Sequence, residues 1–132
     1  MSKIELRDGG EILGMGGPFR GQLYINGALV DKEAMAEPLC DPLAEWCVYV
    51  AYRCHTRWRK DVRFWIHAYH LSTGHLVRYQ SAFEMVVLSD INSETVVVKR
   101  AFHAHYKGDL MEMPLPHFDE TNRVASPWMD VV

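Results

Sequence analysis

The fold is decided by the stretch DVRFWIHAYHL at residues 61–71. Apolar residues recur there at every second position, and this period of two is typical of a β-strand. One side of that strand carries Val62, Phe64, Ile66 and Ala68. The other side carries Arg63, Trp65, His67 and Tyr69. The stretch therefore predicts a strand with one apolar face and one face of basic, imidazole and aromatic side chains.

Neighbouring stretches extend this strand into a sheet. Residues 75–88 and 95–106 alternate in the same way, and the segments between them have the composition of turns. Residues 46–55 fit either a strand or a helix, and their Val-Tyr-Val core with flanking aromatics favours the strand. Asn26-Gly27 supplies the positive φ angles of a type I′ turn, which predicts a tight hairpin.

The remaining segments are expected to surround this sheet. Residues 31–37 combine a capping Asp31 with helix-forming residues before Pro38, which predicts one short helix. We interpret residues 1–21 as a glycine-rich N-terminal segment of turns and loops, and residues 22–107 as the sheet core. Pro114 and Pro116 each remove a ladder donor, so residues 108–132 are predicted to form an extended tail. The tail's expected anchors are Trp128, Met129, Val131 and Val132.

These features together predict one mainly β (α+β) domain over residues 1–132. Its length is that of a typical single domain. We expect a curved antiparallel meander of about four to six strands, with the short helix and the extended tail packed against it.

Charge is distributed unevenly along the chain. The formal net charge is −3, which excludes a uniformly basic nucleic-acid-binding protein. Residues 45–107 nevertheless hold nine basic and five acidic residues, whereas the two flanking segments hold five basic and twelve acidic residues. A cationic middle within an anionic chain is a statement about binding partners rather than about fold.

The polar face of the predicted sheet is the candidate binding surface. Aromatic planes mixed with Arg and His suit a protein interface, where Trp, Tyr and Arg dominate the binding energy. They also suit stacking on bases and contact with phosphates, or cross-strand pairs on an ordinary solvated sheet. The predicted binding residues are Arg53, His55, Arg59, Arg63, Trp65, His67, Tyr69, Arg78, His103 and His105.

Catalytic chemistry has little support in the sequence. His103 and His105 share one side of a strand and precede Asp109, a set that could hold a divalent metal. The glycine-rich start lacks the spacing of a dinucleotide or phosphate loop. We therefore assign no catalytic residue, metal or cofactor, and we lean against an enzyme.

The sequence does not identify a function, so several hypotheses stand. We favour a small non-catalytic binding protein with a protein partner, of the kind found among inhibitor and immunity-type proteins of phages and mobile elements. The alternatives are a nucleic-acid-binding sheet surface and a metal- or small-ligand-dependent enzyme at His103, His105 and Asp109. The three cysteines, Cys40, Cys47 and Cys54, are odd in number and lack the C-x-x-C spacing of a metal or redox site. With no apolar run of membrane-spanning length, this leads us to expect a cytoplasmic location without membrane association.

Overall fold

The computed structural model describes residues 3–11, 19–54, 62–101 and 107–131, and these contain eleven strands and no helix. A mainly β, antiparallel architecture is thus confirmed, with more strands than the four to six predicted. The strands are β1 (Ile4–Glu11), β2 (Phe19–Ile25), β3 (Ala28–Met35), β4 (Leu39–Cys40), β5 (Trp46–Cys54), β6 (Val62–His70), β7 (Leu76–Tyr79), β8 (Val87–Ile91), β9 (Thr95–Lys99), β10 (Leu110–Pro114) and β11 (Trp128–Asp130).

The strands form two sheets. The larger sheet has the order β1-β2-β3-β5-β6-β7-β11, and β4 pairs with β5 beside this path. The smaller sheet has the order β10-β9-β8. The longest ladder joins β5 to β6, from Trp46↔His70 to Cys54↔Val62. The strand interpretation of residues 46–55 is therefore confirmed over Trp46–Cys54, and this pair forms the middle of the molecule.

The short helix predicted over residues 31–37 is wrong, because these residues belong to β3 and the turn that follows it. The predicted hairpin at Asn26-Gly27 is confirmed, with φ angles of 52° and 84°, and it pairs β3 with β2. Ala34 and Met35 are both buried, in two different hydrophobic clusters on opposite faces of the sheet. Burial on both faces favours the strand over the modest helix preference of these residues.

The prediction of one strand over residues 75–88 is also wrong. The chain leaves the larger sheet after Tyr79 and begins β8 of the smaller sheet at Val87. Between them it touches the larger sheet through one bridge, Phe64↔Phe83. The core positions change from odd to even numbers in this crossing, because Tyr79 and Phe83 pack against the same core as Val86 and Leu88. The apolar residues of both strands form one near-continuous run in the sequence, so the pattern does not reveal the change of sheet.

Both ends of the chain contain strands that the sequence did not indicate. The glycine-rich start contributes β1, which lies at the edge of the larger sheet. The tail contributes β10 at the edge of the smaller sheet, where Pro114 ends the strand. Such an edge tolerates the missing donor of proline. Of the predicted strand over residues 95–106, β9 covers Thr95–Lys99, and residues 102–106 lie outside the described residues.

Two hydrophobic cores lie on opposite faces of β5 and β6. The first core lies between the two sheets and includes Val48, Val50, Ile66, Val96, Val98, Met113 and Trp128. The second core lies where β2 and β3 cover the other face, and it includes Leu23, Ile25, Ala34, Cys47, Tyr49 and Ala51. Side chains of β2 and β5 share this core although β3 separates the two strands in the sheet, so the larger sheet curls over itself.

No helix in the described part of the chain is long and apolar enough to span a membrane. The described strands also confirm one predicted anchor of the tail, because Trp128 is buried. The same strand leaves Met129 exposed.

We predict that Trp128→Ala destabilises the protein by about 3–5 kcal/mol. The indole packs in the first core and its Nε1–H donates to the Pro114 carbonyl at 2.8 Å, so one side chain joins β11 to the end of β10. Urea unfolding measures the change, with Met129→Ala on the same strand as the control, expected within about 0.5 kcal/mol. Equal losses in the two variants would contradict this account.

Candidate functional site

The structure brings six of the ten predicted binding residues onto one face of β5, β6 and β7. The register pairs Arg53 with Arg63 and His67 with Arg78, and residues at every second position along β6 point the same way. The six residues are Arg53, Arg63, Trp65, His67, Tyr69 and Arg78. The other four, His55, Arg59, His103 and His105, lie outside the described residues.

We expected a partner-binding face that is open to solvent, and this expectation is wrong for the middle of the face, which is buried. His67 is 3% exposed, and Tyr49, its cross-strand partner on β5, is fully buried. Tyr69 is half-buried against the second core. The curl of β1–β3 covers this part of the face. The covering could not be predicted from the alternation within β5 and β6, because that pattern does not show which distant segment packs on the face.

Asp31 on β3 is the centre of the buried part, and sequence reasoning assigned it only a capping role. The residue is 6% exposed, and its carboxylate accepts hydrogen bonds from several donors. The Tyr49 hydroxyl donates to Oδ2 at 2.9 Å, and the Arg53 guanidinium donates to Oδ1 and Oδ2 at 3.1 and 2.8 Å. The Glu33 amide donates to Oδ1 at 2.9 Å. The bidentate contact between Arg53 and Asp31 is the strongest common form of ion pair.

His67 completes the network in its neutral form. Burial lowers its pKa to about 4, and the positive charges of Arg53 and Arg78 act in the same direction against the attraction of Asp31. Its Nδ1 lies 3.0 Å from the Tyr49 hydroxyl oxygen. Because Tyr49 donates its one proton to Asp31, Nδ1 must carry hydrogen and donate to that oxygen.

The side chains of this network have a structural role. Burial, followed by the neighbouring Asp31, raises the pKa of Tyr49 far above its usual range. Neither Tyr49 nor His67 therefore changes protonation near neutral pH, as a general acid or base would need to do. We define these four residues, Asp31, Tyr49, Arg53 and His67, as the Asp31 network.

The outer part of the face has a different character. Arg63 is exposed, Trp65 and Arg78 are half-buried, and the Arg78 guanidinium lies 4.3 Å from the centre of the Trp65 ring. This is a cation–π contact at close range. We define these three residues as the cationic strip.

The arginines of the strip lack carboxylate partners among the described residues. Each of Arg7, Arg20, Arg53 and Arg100 has an Asp or Glu within ion-pair distance, whereas no described carboxylate lies that close to Arg63 or Arg78. The Nε atom of Arg78 is buried and has no hydrogen-bond partner among the described residues. Arg63 donates to the Val62 carbonyl at 2.8 Å, and neither guanidinium group of the strip is neutralised by a described carboxylate.

The described residues do not contain the complete metal site that the sequence suggested. They contain no group of three His, Cys, Asp or Glu side chains arranged to hold a metal ion. Asp109, the described member of the predicted set, lies 3.6 Å from Arg100. Both line an open cavity of about 400 Å³ together with Phe83 and Glu84. Since His103 and His105 lie outside the described residues, a metal site there stays a prediction.

Comparison of the chain with protein-family models, curated proteins and solved structures finds no significant match. The assignment of function therefore depends on the geometry of the Asp31 network and the cationic strip.

We predict that Tyr49→Phe destabilises the protein by about 1–3 kcal/mol, because it removes a donor from Asp31 and an acceptor from His67. Chemical unfolding at pH 7 measures the effect. Tyr24→Phe is the matched control, since the Tyr24 hydroxyl meets Gln22 at 3.4 Å on the partly exposed hairpin. A loss at Tyr49 no larger than at Tyr24 would show that the hydroxyl has no structural role.

We also predict that stability falls as the pH drops from about 6.5 to about 4. The pKa of His67 is lower in the folded protein than in the unfolded chain, so the unfolded chain binds the proton first and protonation favours unfolding. The His67 contribution to this loss is on the order of 3 kcal/mol. In His67→Asn, whose amide can still donate to Tyr49, the pH dependence in this range should be smaller by that amount. An unchanged pH profile would be the contrary result.

Proposed function

We propose that this chain is a non-catalytic binding protein that presents the cationic strip to an acidic surface on a protein partner. The observation that carries the proposal is the pair of arginines, Arg63 and Arg78, that flank Trp65 without a carboxylate partner among the described residues. Guanidinium groups bind carboxylates through two parallel hydrogen bonds, so an acidic side chain is the natural complement.

The strip is suited to binding because its parts are held in place before a partner arrives. Trp65 and Arg78 lie on paired strands of the larger sheet, and the ring supports the guanidinium. A side chain that is already ordered loses less conformational freedom on association. Trp and Arg are also the residues that contribute most to protein interfaces. Arg53 and His67 of the Asp31 network are the direct cross-strand partners of Arg63 and Arg78.

The choice of a protein over a nucleic acid rests on Trp65. Stacking with an unpaired base needs an open aromatic face. Arg78 covers one face of the Trp65 ring, and the half-buried ring also packs against the second core. Nucleic acid remains the alternative, because phosphates can also pair with arginines. An inhibitor or immunity-type role stays a prediction, since it rests on what small proteins without motifs commonly do.

We predict that a variant with Arg63→Glu and Arg78→Gln loses its partner. Each change removes a charged hydrogen-bond donor, so affinity should fall at least roughly tenfold. Tagged chains are used for affinity purification from cells that produce the protein, and binding to the recovered partner is then measured by calorimetry at two salt concentrations. The matched control is Lys32→Glu with Arg123→Gln, which changes the charge equally at exposed positions.

The expected result is one acidic protein that binds the wild-type and control chains equally and the strip variant weakly. A partner that binds all three chains alike would overturn the proposal. Binding of a single-stranded oligonucleotide that is lost in the strip variant, with no protein partner, would replace it with the nucleic-acid alternative.

A further inference from the structure

Cys40 and Cys47 face each other on neighbouring antiparallel strands. They are directly paired in the register of β4 and β5. The adjacent pair is hydrogen-bonded, since the Asp41 amide donates to the Trp46 carbonyl at 3.2 Å. Because hydrogen-bonded and non-hydrogen-bonded pairs alternate along an antiparallel ladder, the two cysteines occupy a non-hydrogen-bonded position.

This position matches the dimensions of a disulfide. At non-hydrogen-bonded pairs the two Cα atoms are about 4.5 Å apart, which lies within the ~4.4–6.8 Å range that disulfides span. Directly paired residues also point to the same face of a sheet.

The two thiols differ in access to solvent. Cys40 is exposed, whereas Cys47 is fully buried in the second core. The hydrogen bond from Cys47 lowers the pKa of Cys40 to about 7, and the same contact, together with burial, raises the pKa of Cys47. An accessible thiolate beside a protected thiol is the arrangement in which one sulfur attacks and the other resolves.

We propose that Cys40 and Cys47 are a redox-sensitive pair that a small disulfide, such as oxidised glutathione, converts into a cross-strand disulfide. The Cys40 thiolate attacks one sulfur of the small disulfide and releases one glutathione thiolate. The Cys47 thiol then loses its proton, attacks the Cys40 sulfur of the mixed disulfide and releases the second glutathione. The protein is oxidised by two electrons, and two reduced glutathione molecules take up these electrons and the two protons.

Cys54 does not compete for Cys47 within one chain. The two residues are seven positions apart on β5, roughly 23 Å at the usual rise of a strand. The disulfide would fasten the two-residue strand β4 to β5 across the turn at residues 41–45. Leu43 in that turn is 65% exposed, so cleavage there reports on the local effect.

The test exposes the folded full-length chain to glutathione buffers of increasing oxidised fraction. After acid quenching and alkylation, intact mass and peptide mapping give the state of each cysteine. The expected product is a linked Cys40–Cys47 peptide with Cys54 alkylated, and cleavage by chymotrypsin at Leu43 should slow at least several-fold. Wild-type protein and Cys54→Ser are mapped in parallel, so the assignment does not depend on a single variant.

Two further variants distinguish the roles of the thiols. Cys47→Ser should stop at one glutathione on Cys40, because the resolving thiol is absent. Cys40→Ser should react at least tenfold more slowly at Cys47, which is buried. A stable glutathione adduct on Cys40 while Cys47 is present would overturn the proposal. Linkage that forms in urea and not in the folded chain would overturn it as well.

Discussion

The structure depends on the burial of both faces of the β5–β6 pair. Strands covered on both sides are usually apolar throughout, but one face of this pair carries Tyr49, Arg53 and His67. Groups of this kind are costly to bury without partners. Asp31 provides the partner from β3, so the hairpin that covers the face also brings the carboxylate that makes its burial possible.

The Asp31 network also fixes where that hairpin lies. The ladder between β3 and β5 has one matched pair, Ala34↔Ala51, so the backbone alone specifies their register weakly. The bonds from Asp31 to Tyr49 and Arg53 add two side-chain constraints between the same strands. A buried ion pair is a poor source of net stability compared with apolar packing. We infer that its role here is to select one register, since a slip of one residue would turn Asp31 away from the face.

Much of the fold follows from period-two alternation, and the failures have specific physical causes. The two faces of β5 and β6 were predictable because alternation within a strand records which residues share a side. The covering of the polar face was not, since β2 and β3 lie far from β6 in sequence. The helix predicted at Asp31 failed because Ala34 and Met35 are buried in different cores. The side chains of the cationic strip were all predicted, whereas their separation from the Asp31 network needed the tertiary structure.

The position of the Asp31 carboxylate determines which arginines of this face are neutralised and which are not. Arg53 and Arg63 are directly paired across β5 and β6, where like charges repel. Asp31 approaches from the β3 side, so it neutralises Arg53 and leaves Arg63 in solvent. Arg78 lies beyond β6 and is held by Trp65 instead. The described acidic residues of the tail do not reach the strip, although residues 108–132 hold several. The described part of the chain therefore leaves the positive charge of the strip without a carboxylate, and this is the charge that an acidic partner would neutralise under the proposed function.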